Sequence, residues 1–236
     1  MNPLVILIVL VAMFTQTTVG FGSALIAMPF LIVILGPDVA RPAFMLAAYT
    51  GGVTLMWQYR KDWQLPDVKF VIVGTLVGIP VGTWVAGSMD KDMFMLVLGI
   101  IIICYSLYAL SGFKLKEIRR EWGTVFGFCS GILHSAYNVG GPPLVMYNSA
   151  HNWEARRFKG NTQATFFIMG MFVIFEHFRT GNITPVVLQN VALMLPAMFV
   201  GIFIGLRVEK YIKQSVFRKI VMVLLLIIGL NLVNPF

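Results

Sequence analysis

Charge is what this sequence has least of. Only 12% of its 236 residues are Asp, Glu, Lys or Arg, and Asp and Glu together number 10. A soluble domain carries about 25% charged residues. Such a chain cannot cover itself with polar side chains, and with 58% hydrophobic residues and a mean hydropathy of +0.83 it reads as an integral membrane protein. Spans of about 20 residues leave room for roughly six to eight crossings and for no sizeable soluble domain. Cysteine is scarce as well. Cys104 and Cys129 lie in apolar runs without metal-ligand spacing and read as small buried hydrophobes. No Gly-x-Ser-x-Gly or His-Glu-x-x-His pattern occurs, and His134 and Ser135 are adjacent, so they project differently on a helix; with Ser23 they make no catalytic set. The chain is therefore expected not to be an enzyme and to need neither cofactor nor metal. No Asp or Glu is expected near mid-membrane, which argues against a carboxylate-based cation site.

What the sequence has is apolar runs separated by basic clusters. The net charge of +8 would suggest nucleic acid in a polar chain, but Lys and Arg between apolar runs encode membrane orientation instead. The runs fall at 3–36, 39–59, 67–88, 93–111, 122–150, 157–178, 184–206 and 214–233. Nothing positive precedes Arg41, so the first run lacks the basic region of a signal peptide and is expected to stay in the mature protein. The first and fifth runs are too long for one crossing: a 34-residue helix measures about 50 Å against a core of about 30 Å. Polar, glycine-rich stretches interrupt them at 15–23 and 134–143, so each reads as two half-helices meeting at a break.

The breaks are also in register with each other. Aligning Gly22 with Gly141 sets one polar stretch opposite the other, and further on Gly78 and Gly82 fall on Gly201 and Gly205. The expected fold is thus an all-α membrane protein of two four-segment repeats, 1–112 and 122–236, joined by a basic cytoplasmic linker at 113–121. If all eight runs cross, Lys and Arg divide eight to ten between the two sides. If the fifth run enters and returns on one side, the division becomes fifteen to three, with only Arg41, Lys91 and Arg179 on the poor side. The basic side should be cytoplasmic. The first run is assigned as re-entrant by analogy, giving about six full crossings, inverted repeats and both termini outside. An interrupted segment at the same place in each half points to a secondary transporter with its site at the paired breaks.

A half-helix that begins inside the protein presents unpaired N–H groups and the positive end of its dipole. The donors would come from Gly22, Ser23 and Ala24 in one half and from Gly140 and Gly141 in the other, since Pro142 and Pro143 lack N–H. Hydroxyls and amides of Thr17, Thr18 and Asn138 could complete the shell. His134 could exchange a coupling proton or hold an anion when charged, or sit neutral beside a neighbour. Thr50, Thr54 and Gln58 form one helical stripe, and Asn161 and Thr165 share another face; they line a polar path or bond their own backbone. Gly74, Gly78 and Gly82, like Gly123, Gly127 and Gly131, read as helix-packing notches. Glu176 and His177 read as interfacial.

Thr17, Thr18, Val19, Gly20, Phe21, Gly22 and Ser23, then Asn138, Val139, Gly140, Gly141, Pro142 and Pro143, then Arg157, Phe158, Lys159, Gly160, Asn161 and Thr162 carry a resemblance. In these motifs, and over essentially its whole length, the chain resembles the sulfite exporter TauE/SafE family. The resemblance implies secondary transport of small sulfur-containing anions such as sulfite, sulfoacetate and related sulfonates across the cytoplasmic (inner) membrane of a prokaryote. It places the family's glycine motifs on Gly20 and Gly22 and on Gly140 and Gly141; relatives often have a longer glycine run in the second. Expected partners are a small anionic substrate, the lipid bilayer and a coupling proton or ion, with no nucleic acid; a homo-oligomer stays open. A passive anion channel and a non-transporting membrane assembly factor are the alternatives.

Overall fold

The computed structural model describes residues 3–113 and 116–234. Among these the chain is all helix, with no strand. In order come α1 (Pro3–Val19), α2 (Ser23–Leu35), α3 (Pro37–Gln58), α4 (Leu65–Gly87) and α5 (Lys91–Leu110), then α6 (Gly123–Tyr137), α7 (Gly141–Ala150), α8 (Ala155–Arg179), α9 (Pro185–Val208) and α10 (Gln214–Val233). Four stretches are long and apolar enough to cross a membrane: Leu65–Gly87, Lys91–Leu110, Pro185–Tyr211 and Ser215–Val233. Their outward faces carry Val77, Trp84, Ile100, Phe203, Leu224 and Ile227, all exposed. Water does not tolerate apolar surface on that scale, so these faces suit lipid.

Glycines let pairs of these helices touch backbone to backbone, and the contacts fix direction. Gly201 of α9 lies against Leu10 and Phe14 of α1, and Gly205, one turn on, lies against Thr17, so the two helices run parallel. Gly74, Gly78 and Gly82 of α4 meet Thr124, Phe128 and Ile132 of α6 in ascending order, and these helices are parallel too. Gly127 and Gly131 return the contact onto Val71 and Thr75, as expected for packing notches. On α5, Gly99 meets Leu232 and Val233, whereas Gly229 of α10 meets Ile103: this pair is antiparallel. Gly99 is closely packed: a Cβ there would come within 2.9 Å of Leu232.

One expectation about burial changes. Cys104 and Cys129 are exposed on the outer faces of α5 and α6, not buried. Their helices turn bulkier or smaller residues inward, Ile102 and Tyr105 on α5 and Gly127 and Ser130 on α6. Near the end of α8, His177 is buried against neighbouring residues and sits 3.3 Å from Asn182, while Glu176 is paired with Arg179 at 2.7 Å.

Candidate functional site

Two interruptions build the site. After α1 stops at Val19, Gly20 and Gly22 adopt φ of +97° and +103°, a region closed to most side chains, and this reverses the chain around Phe21. Helix α2 then starts with Gly22 as its N-cap and no side-chain cap, which leaves its first-turn N–H groups without a side-chain acceptor. At the second interruption Asn138 closes α6 at φ +60°, the non-glycine residue type that best tolerates that region. Ser130, two turns back in α6, donates to the Gly140 carbonyl at 2.5 Å, so the chain folds back on itself. Helix α7 starts at Gly141, also without a side-chain cap, with proline in its first turn.

The opposite ends of the broken helices are covered by buried cations. Lys159, 3% exposed at the start of α8, donates to the carbonyls of Thr18 (3.0 Å) and Thr17 (3.2 Å) and pairs with Glu209 at 2.7 Å. Arg41, 8% exposed in the first turns of α3, donates to the Ser135 carbonyl at 3.1 Å near the end of α6. Each cation thus comes from the other half of the chain and meets the last carbonyls of α1 or α6, where a helix carries partial negative charge. What the breaks leave uncovered is the positive end of α2 and of α7.

Those two ends share one cavity of about 50 Å³. It is lined by Gly22, Ser23 and Ala24 from one break and by His134, Asn138 and Gly141 from the other. Residues 44–52 of α3 and 163–167 of α8, the middle turns of both helices, complete the wall. Ser23 and Gln16 are in very close contact there, and Gln163 donates to the Gly20 carbonyl at 3.1 Å. Unused polar atoms remain. Oδ1 of Asn138 has no partner, and neither ring nitrogen of His134 makes a hydrogen bond of normal geometry, although the Asn138 backbone is near. The His134 ring stacks on Phe166 at 5.8 Å. Buried polar groups are normally satisfied, so a polar ligand or water is the expected occupant.

The profile of the sulfite exporter TauE/SafE family matches residues 5–232. This chain belongs to that family of membrane transporters. It is also similar to a protein of Comamonas testosteroni called "Probable inner membrane transporter protein TsaS", with 23% identity over 165 residues that cover 69% of each chain. No solved structure matches it significantly.

Within this TauE/SafE member, the residues singled out from sequence are not all brought together. Gly22, Ser23, His134, Asn138 and Gly141 line the cavity, while Gly20 and Gly140 stand just behind it. Thr17 and Thr18 do not line it: their hydroxyls donate to Met13 and Phe14 within α1, and it is their carbonyls that hold Lys159. Thr50 donates to Leu46 and, like Thr54, faces outward. Asn161 and Thr165 are fully buried elsewhere, Asn161 donating to Asp67 at 3.0 Å. Asp67 itself is 0% exposed and paired with Arg157 at 2.7 Å and Arg120 at 3.5 Å, a cluster that ties α4, α8 and the basic linker at one end. Arg41, Lys159, Gln16, Gln163 and Asp67 went unrecognised as site residues. The signal was available for one pair, since Lys159 stands 118 positions after Arg41, close to the offset of 119 between Gly22 and Gly141. Among the described residues no group of three or more His, Cys, Asp or Glu comes together as a metal site.

Proposed function

We propose that this protein is a secondary transporter of small anions, sulfite or short organosulfonates first, with its site between the first turns of α2 and α7 at mid-membrane. The observation that carries the reading is the polarity of the two breaks. Both helix N-termini open uncapped onto one cavity, and Lys159 and Arg41 cover the helix C-termini that would otherwise repel an anion. Oriented N–H donors offset part of the cost of desolvating a negative charge, and a cation there would face the wrong end of both dipoles. The sulfur chemistry comes from family membership alone.

The helix directions support the inverted-repeat topology. Consecutive crossings alternate, so if α9 runs inward, α8 and α10 run outward. Antiparallel to α10, α5 then runs inward, which makes α4 outward and α3 inward. Because α1 is parallel to α9, α1 and α3 both run inward, and α2 must return between them; Gly36 alone joins α2 to α3. The same steps with signs reversed describe α6 to α10. Loop charge agrees: taking the buried Arg41 and Lys159 out of the fifteen-to-three division leaves fourteen to two. On this reading both termini lie outside an inner membrane and 113–121 lies in the cytoplasm. Uphill accumulation of sulfite in proteoliposomes driven by an imposed ion gradient is the test. Flux that only ever runs downhill and does not saturate would favour a channel instead.

A further inference from the structure

A second, larger cavity of about 610 Å³ opens at one end of the helix bundle, walled by the end of α5, the junction of α7 and α8, and the start of α10. Among the described residues its charged lining is of one sign, Lys159, Arg218 and Lys219, with no carboxylate. Glu209 engages Lys159 from outside the lining, while Arg218 and Lys219 form no ion pair among the described residues. Unpaired charge of one sign in a cleft with apolar walls concentrates counter-ions.

This vestibule and the central cavity are neighbours along three elements. Val19 lines the vestibule and Gly22 lines the central cavity, three residues on. Lys159 and Gln163, one turn apart on α8, stand in the same relation, as do Asn148 and Gly141 on α7. Between the two spaces lies Phe21, 1% exposed. Its ring is 5.6 Å from the Arg218 guanidinium on one side, and on the other it would touch a side chain at Gly141 at 3.4 Å. The Phe21 ring, flanked by the two positive-φ glycines, stands in the wall between the two spaces beside the Lys159 and Gln163 contacts to the α1 end.

We propose that the vestibule is a second binding site for small oxyanions, a waiting position on Arg218 and Lys219 from which the anion reaches the central cavity when Phe21 moves aside. Binding follows from the vestibule's own charge; its place on the cytoplasmic face rests on the transport reading above. The purified protein is titrated with sulfite by isothermal calorimetry, and a variant with Trp57, Trp63, Trp84 and Trp122 replaced by Phe makes the fluorescence of Trp153, a vestibule wall residue, a local readout. Replacing both cations (R218Q with K219Q) should weaken vestibule binding about tenfold, and added salt should erase the difference from wild type. Lys219 is exposed, so K219Q alone gives a variant that folds and still weakens binding. In sided flux assays the double variant should raise KM from the cytoplasmic face and leave KM from the outer face unchanged, and Phe21→Ala should add a downhill leak that Phe21→Leu does not. Sulfite binding that is absent in wild type, or equal in wild type and the double variant, overturns the proposal. Arg218-dependent binding without any flux would uphold the vestibule and sink the transport reading instead.

Discussion

Lys159→Met removes an ammonium whose surroundings let the consequence be sized. The Nζ makes three short contacts, to Glu209 at 2.7 Å and to the Thr18 and Thr17 carbonyls at 3.0 and 3.2 Å, and the side chain is 4% exposed. Breaking a buried ion pair by deleting one partner costs about 3–5 kcal/mol, because the remaining charge stays desolvated. Glu209 keeps 23% side-chain exposure and recovers some solvation, which puts the loss near the low end, about 3 kcal/mol. For a chain of this size that lowers the midpoint of thermal unfolding by about 6–12 °C. Deleting the charge also uncovers the partial negative end of α1 next to the uncapped start of α2, so sulfite flux should fall more than stability explains. Lys159→Met combined with Glu209→Gln should return a good part of the lost stability but not the flux. Thermal unfolding in detergent and flux at a temperature where all variants are folded measure the two effects. A Lys159→Met protein that melts within about 2 °C of wild type, or that melts lower but transports normally, would refute the reasoning.

The glycines of the breaks should respond differently from one another. A side chain at Gly22 meets open space but is held at φ +103°, so even Gly22→Ala should cost about 1–2 kcal/mol, seen as a lower unfolding midpoint. Gly141→Ala should be tolerated and Gly141→Leu should abolish flux by filling the cavity. Gly87→Leu, at an end of α4 with nothing within 4 Å, is the control that should leave flux intact. If His134 shares a proton with the transport cycle, His134→Gln should remove the pH dependence of flux; otherwise it should change only the rate, and a pH–rate series separates the two. Cysteines placed at Glu117 and Ala155, in a background lacking Cys104 and Cys129, should label from the same side of the membrane. Labelling from opposite sides would contradict the return of α7.

The interruptions were legible because polar, glycine-rich stretches cut apolar runs too long for one crossing. Gly20 and Gly22 turn the first break at positive φ whatever packs around them; the second turns at Asn138, with Gly140 in ordinary helical geometry and Pro142 in the first turn of α7. The glycine stripes of α4 and α6 were legible for a related reason, since spacing by four puts small residues on one face whatever that face meets. Arg41 and Lys159 were hidden because hydropathy sees a cation near the end of an apolar run and reads a loop charge. Only tertiary packing shows each side chain turned inward onto the carbonyls of a helix more than 90 positions away. The Thr50 and Thr54 stripe misled in the opposite direction. Which face of α3 turns inward is decided by Met45 and Tyr49 against Gly170 and by Gly51 against α9, and the threonines are left outside, with Thr50 bonding its own turn. Gln16 and Gln163 lie inside polar stretches that stand out in the sequence, at 15–23 and beside Asn161 and Thr165, but which of several neighbouring polar side chains faces the cavity is set by packing.

The central claim is that two uncapped helix starts, with their negative counterparts covered by Lys159 and Arg41, make a site for an anion. Ion selectivity of flux tests it most directly. Purified protein in proteoliposomes is offered radiolabelled sulfite, a short sulfonate, sulfate, sodium and potassium in parallel, at equal gradients. Saturable movement of sulfite or the sulfonate, with sodium and potassium at the level of empty vesicles, is the predicted result; selective movement of sodium or potassium with no anion flux would contradict it.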